Sequence, residues 1–263
     1  MKKTFAPTGT YKGLSEIIQK LRSKEGCPWD REQTHISLRP NLIEEMYEAL
    51  EAIDENNISG MTEELGDIII QIVFHAQIAK ENNTYTDKDI FTEAEKKLIR
   101  RHPHVFDNSP MPKTSQEVEI NWDRLKKDEK KERKSILDGP SKLSPSLSYA
   151  QSIAQRAARA GFDWENELQV FEKLDEEINE LQNAKNSEEI EHEIGDILLT
   201  ITNIARWLSI DAESALRKAN KRFYERFTFM ESEIEKNDLD ISQVNMITLS
   251  KLWEKAKEKL KSP

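Results

Sequence analysis

The stretch NLIEEMYEALEAIDENNISGMTEELGDIIIQIVFHAQIA, residues 41–79, decides the fold. Leu42, Met46, Ala49, Leu50 and Ile53 recur at helical spacing. Asn56, Asn57, Ser59 and Gly60 then form a short turn, and a second helix is predicted from Met61 to Glu81. Two helices joined by so short a link pack antiparallel. At about 100° per residue, with Leu42 at zero, the apolar stripe of the first helix spans roughly 340° through 80°. Glu45 then falls near about 300° and Glu48 near about 240°. On the second helix, with Met61 at zero, Leu65, Ile68, Ile69 and Ile72 cover roughly the same arc, with Glu64 near about 300° and Asp67 near about 240°. Both stripes are expected to be buried. Each helix thus carries two carboxylates on one edge of its stripe, and the antiparallel pair brings four together.

The pattern occurs twice. Glu44-Glu45-x-x-Glu48 and Glu64-x-x-Asp67 are echoed by Glu176-Glu177-x-x-Glu180 and Glu193-x-x-Asp196, at offsets of 132 and 129 residues. The strings ELGDII and EIGDIL frame the two ExxD elements, and Gly26–Asp30 is echoed by Gly161–Trp164. A period near 130 is a duplicated domain, with the second hairpin turn expected to be three residues shorter. Between the copies the chain turns polar, with Pro110, Pro112, Gly139, Pro140 and Pro145 around the charge run 123–134. We expect an N-terminal domain over 1–108, a linker over 109–147 and a C-terminal domain over 148–263.

The composition agrees with an all-α protein. Only eight glycines and nine prolines interrupt 263 residues, and a third of the chain is charged. The net charge of −10 argues against broad nucleic-acid binding, so none is expected. Cys27 is the single cysteine, which forbids an intrachain disulfide and fits a reducing compartment. The N-terminus lacks a signal-like apolar run, and residues 68–79 are too short and polar to span a bilayer. No membrane association and a cytoplasmic location are the expectation.

Four carboxylates beside an apolar core repel one another and lose hydration, which a hard divalent cation relieves. Oxygen ligands suit Mg²⁺, with Mn²⁺ as a substitute, and such ions recruit phosphates and activate water. One ExxE motif alone is most often a solvated face; two copies of the whole pattern argue for a site. A di-iron bundle would need Glu-x-x-His on two helices, and only Glu189–His192 has that spacing. No glycine-rich phosphate loop with its lysine occurs. The five histidines show no metal-ligand spacing, and His75 fits a core residue. Cys27 has no identifiable catalytic partner. Trp29 and Trp164 fit packing positions in the loops ahead of each hairpin.

With these motifs in view, the chain resembles the MazG nucleoside triphosphate pyrophosphohydrolases. The resemblance rests on residues 27–54 and 63–76, on RRHPHVF at 100–106, on SILDGPSKLSPSL at 135–147, on RAARAGFDW at 156–164 and on KRFYERF at 221–227. It implies tandem all-α, four-helix-bundle domains completed in a homodimer. It also implies Mg²⁺-dependent hydrolysis of ribo- and deoxynucleoside triphosphates to monophosphate and pyrophosphate, in nucleotide-pool cleansing or the starvation response. On the family's pattern, the metal ligands are Glu45, Glu48, Glu64 and Asp67, and again Glu177, Glu180, Glu193 and Asp196. Glu44 and Glu176 are supporting acids that orient or deprotonate the attacking water. Arg222, Arg226, Trp253 and Lys257 match nucleotide-binding positions, with Lys173 as a further phosphate contact. The bland alternatives stay open: arginines that snorkel along a surface, and Trp253 as the anchor of a terminal helix. A non-catalytic nucleotide-sensing or protein-interaction module on the same fold is the alternative function.

Overall fold

The computed structural model describes residues 6–107, 109–114, 117–118, 121–122, 125, 134–236 and 240–260. Among these no strand occurs. The chain divides into two compact units, residues 1–131 and 132–263. The charge run at 123–134 lies outside the described residues except for Leu125 and Lys134.

In the first unit, α1 (Tyr11–Leu21) and the one-turn α2 (Pro28–Glu32) lead into the hairpin of α3 (Arg39–Asp54) and α4 (Ile58–Glu81). The unit continues with α5 (Asp87–Arg101) and the one-turn α6 (Pro103–Phe106). Asn56, at φ 53°, turns the chain, and the Asn57 side chain accepts from the Gly60 N–H to cap α4. The core is small: Ile18, Leu38, Val73, Phe74 and Ile78, packed by Tyr11, Leu14 and Ile70. It gathers α1, the start of α3 and the second half of α4. Arg22, just past α1, locks this arrangement. Its guanidinium donates to both Glu81 carboxylate oxygens and to the backbone carbonyls of Asp30 and Gln33.

In the second unit, α7 (Ser146–Arg159) precedes the hairpin of α8 (Glu167–Asn183) and α9 (Ser187–Trp207), and α10 (Ala212–Glu235) and α11 (Met246–Lys259) follow. Helix α9 packs against α8 and α7, and α10 against α7 and α11. Asn166, Asn186, Asp211 and Asn245 cap the four helices that follow them by accepting from an N–H three residues on. Asp163 receives the Arg206 guanidinium and the Trp207 indole N–H, which ties the loop before α8 to the end of α9.

Three expectations change. The connections Glu55–Asn57 and Ala184–Asn186 are equally long, so the second hairpin does not have a shorter turn. The missing three residues come from the end of α8, which runs three residues past Glu180 where α3 runs six past Glu48. An asparagine caps the following helix in both copies, so the cap is kept while the end of the preceding helix absorbs the deletion.

Most of the stripe beside the acids is also exposed, although Ala49 and Val170 are buried. Met46, Leu50, Ile53, Leu65, Ile69 and Ile72 are exposed in the first hairpin, as are Phe171, Ile178, Ile190, Ile194 and Ile201 in the second. A two-helix hairpin has one apolar face too many for the small core beside it, and the burial on α4 shifts to its later residues, Val73 through Ala79. Trp29, on the one-turn α2, is likewise exposed.

Candidate metal centres

Each hairpin brings three of the four expected acids together, and the aspartate stays outside the cluster. In the first, Glu45, Glu48 and Glu64 each offer an oxygen, all within 4.8 Å of one another. In the second, Glu177, Glu180 and Glu193 do the same. Three convergent carboxylates at this separation fit a hard divalent cation with room for waters. Asp67 stands outside the first triad, but its charge acts on Glu45 and Glu64. Asp196 faces His192, with 3.3 Å between Oδ2 and Nε2.

The carboxylates pay for their crowding in proton affinity. Burial pushes Glu45 above the ordinary glutamate value, with Asp67, Glu48, Glu64 and Glu44 adding to it. Glu64 is raised by desolvation, by Glu48, Glu63 and Asp67, and by a hydrogen bond to Glu48. Glu180 is raised by desolvation and by Glu193 and Glu177, partly opposed by Lys173.

The centres differ in one charge. Lys173 Nζ lies 2.8 Å from both Glu176 Oε1 and Glu177 Oε1, and its hydrogen bonds to Glu176 and then to Glu177 raise its own pKa. Glu177 is 4 % exposed, so the ammonium is its internal counter-ion. The 132-residue offset puts Asn41, an uncharged residue, at the corresponding place in the first hairpin. Lys173, the phosphate-contact candidate, bridges two acids here.

The other nucleotide-binding candidates gather on α10 and α11. The Arg226 guanidinium lies 5.7 Å from the Trp253 ring centroid, and Phe223 packs against the same indole at 5.5 Å and against Phe227 at 6.0 Å. Arg226 Nε is buried with no hydrogen-bond partner among the described residues. Arg222 is exposed on the same helix, and Lys257 pairs with Glu254. This aromatic–cation group is a cluster of its own, on helices other than those that carry the second triad.

A family profile described as the MazG nucleotide pyrophosphohydrolase domain matches residues 33–106. The chain is 49 % identical to the nucleoside triphosphate pyrophosphohydrolase/pyrophosphatase MazG of Thermotoga maritima, over 94 % of this chain and 95 % of that one. The chain belongs to the MazG family. It is 39 % identical to the nucleoside triphosphate pyrophosphohydrolase of Escherichia coli, over 93 % and 95 % of the two chains. It is also 40 % identical to the uncharacterized protein YabN of Bacillus subtilis, of which it spans 52 %. The all-helical architecture fits the family's helical bundles, and the family is one of nucleotide pyrophosphohydrolases, so the chain is a hydrolase. Among the described residues no helix is long and apolar enough to cross a membrane.

One pairing escaped sequence reasoning. His35, ahead of α3, and His75 on α4 meet with 2.7 Å between their Nδ1 atoms and nearly parallel rings. Forty residues separate them, so no local spacing betrays the contact.

Proposed function

We propose that this MazG protein hydrolyses ribo- and deoxynucleoside triphosphates to monophosphate and pyrophosphate with Mg²⁺, and that the C-terminal domain, residues 148–263, is the main site. The observation that carries this reading is the convergence of Glu177, Glu180 and Glu193 beside Lys173. The triad and Asp196 are the residues that would hold the ion, and Mn²⁺ is an alternative with the same oxygen preference. When bound, such an ion neutralises phosphate charge and acidifies water.

The chain's own groups supply the rest. Glu176 lies next to Glu177 and is half-exposed; its carboxylate accepts a hydrogen bond from Lys173, and in that ionised form it can take the proton of an attacking water. Attack at the α-phosphorus forms one P–O bond and breaks the one to the bridging oxygen, and pyrophosphate leaves with that electron pair. Lys173, Arg222, Arg226 and Lys257 supply positive charge for the polyphosphate, and Trp253 a face for the base. In the N-terminal domain, residues 1–108, Glu45, Glu48, Glu64 and Asp67 form the parallel set with Glu44 as the supporting acid; residues 109–147 connect the two.

The exposed stripes support a homodimer in which helices from a second copy cover each hairpin and complete a four-helix unit. Gly66 and Gly195 add to this: a Cβ on either would meet nothing within 4 Å, and a helical glycine costs about 1 kcal/mol relative to alanine. Their repetition at one register position fits a helix or ligand that approaches closely. The setting we propose is the cytoplasm, in nucleotide-pool cleansing or the starvation response.

Pyrophosphate release from several triphosphates tests the reading. Glu177→Gln is expected to lower kcat by about 10²-fold or more. Full turnover in Glu177→Gln would place the chemistry elsewhere.

A further inference from the structure

Gln71 is a buried polar residue without an evident reason to be there. It is 8 % exposed, and its Oε1 is buried with no hydrogen-bond partner among the described residues. It lies on α4 four residues beyond Asp67 and seven beyond Glu64. At about 100° per residue its direction falls between those of the two acids, roughly 6 Å further along the helix than Asp67. The face of α4 that bears the carboxylates therefore ends in an amide carbonyl that lacks a donor. An acceptor buried in this way costs stability unless something donates to it.

The repeat gives this position meaning. The 129-residue offset maps Gln71 onto Thr200, which is also buried and polar, while Ile197, Leu198, Leu199 and Ile201 around it are apolar. Both hairpins thus place a hydrogen-bonding side chain one turn beyond the aspartate. Across the first hairpin, Asn41 stands as many residues before Asn56 as Gln71 stands after it. The counterpart of Asn41 is Lys173. The second acidic centre is therefore bordered by an ammonium and a hydroxyl, and the first by two carboxamides. An ammonium donates to a phosphate oxygen; an unpaired carbonyl oxygen repels one and needs an N–H or O–H.

We propose that Gln71 Oε1 is a ligand-binding acceptor of the first acidic centre, and that it takes its hydrogen bond from a donor brought in by the cation–nucleotide complex, either a water of the cation's shell or an N–H or O–H of the nucleoside. The proposal rests on the reading that the triads hold a divalent cation. It assigns the two centres different ligand chemistry: the second is completed by a charge that faces phosphate, the first by an acceptor that faces an uncharged donor.

The test uses the full chain with Glu177→Gln and Glu180→Gln, which leaves the first centre as the cation site. Mn²⁺ binding is measured by electron paramagnetic resonance. Binding of adenosine and guanosine monophosphates at saturating Mn²⁺ is measured by calorimetry. Gln71→Leu and Gln71→Met each remove the acceptor and keep the volume. The melting temperature is expected to stay or rise by a few degrees, since an unsatisfied acceptor is lost, while binding weakens about tenfold. Weaker Mn²⁺ binding identifies the cation's water as the donor. Unchanged Mn²⁺ binding with weaker monophosphate binding identifies the nucleoside. If neither affinity moves, or if both variants lower the melting temperature, Gln71 is a packing residue and the proposal falls. If the parent with Gln71 intact binds no Mn²⁺, the carboxylate reading itself fails.

Discussion

Replacing Lys173 with methionine tests whether the second centre is built around an internal cation that a metal can relieve. Lys173 Nζ lies 2.8 Å from an oxygen of Glu176 and 2.8 Å from one of Glu177. The Glu176 side chain is 56 % exposed, so its bond counts as a surface pair worth about 0–1 kcal/mol. The Glu177 side chain is 5 % exposed, and breaking a buried pair costs about 3–5 kcal/mol. Lys173 is itself 35 % exposed, so solvent screening reduces that contribution to about 2 kcal/mol. The cation-free variant should thus lose about 2–3 kcal/mol in the second unit, a fall of roughly 6–12 °C in melting temperature at this size. Saturating Mg²⁺ supplies the missing charge beside Glu177, so the gap to the parent should shrink below about 1 kcal/mol. Differential scanning calorimetry with and without Mg²⁺ reads both quantities. Equal losses in the two conditions would refute the reasoning, because Lys173 would then be a structural strut rather than a stand-in for a cation.

The antiparallel hairpins, the acid triads and the duplication were legible because they depend on local spacing. Glu45 and Glu48 share one helix edge, as do Glu64 and Asp67, and a short turn fixes which edges meet. What buries the neighbouring apolar stripe is not local. Leu65, Ile69 and Ile72 have helical periodicity whether the covering surface belongs to the same chain or to another, so their exposure had no sequence signature. The three-residue deletion was misplaced for a similar reason: an offset counts residues and does not say whether a helix or a turn gives them up. Lys173 was legible as a cation near acids, but its preference for Glu176 and Glu177 depends on rotamers in an i, i+3 and i, i+4 geometry. The contacts between His35 and His75 and between Arg22 and Glu81 join distant segments, which only the packed core brings together.

Arg22→Met should destabilise the first unit by about 3 kcal/mol in urea unfolding, since Glu81 and two backbone carbonyls lose their donor, and adding Glu81→Leu should recover part of that loss. Burial alone would raise Glu81, but hydrogen bonds from Arg22 and Gln77 outweigh it and hold the carboxyl below its ordinary value of 4.5. A depressed acid stabilises above its unfolded pKa and loses that contribution as pH falls through the folded one, so acid melts of the parent should steepen below about pH 4.5 and those of Arg22→Met should not. Glu45 and Glu64 are raised, so the sign reverses: the cation-free first unit should lose stability as pH climbs above the ordinary glutamate range, and cation affinity should rise over the same window, both followed by thermal melts. Trp253 separates two roles for the aromatic–cation group. If the indole stacks a base, Trp253→Ala should weaken nucleotide binding by about tenfold, with little preference among bases, because every base has a face to offer. If instead it anchors α11 onto Phe223, the same change opens a cavity and lowers the melting temperature while nucleotide affinity holds. Trp253→Phe keeps an aromatic face for both roles, so it should rescue most of the affinity under the first and most of the stability under the second. A stable Trp253→Ala chain that binds nucleotide as tightly as the parent would remove the residue from either part.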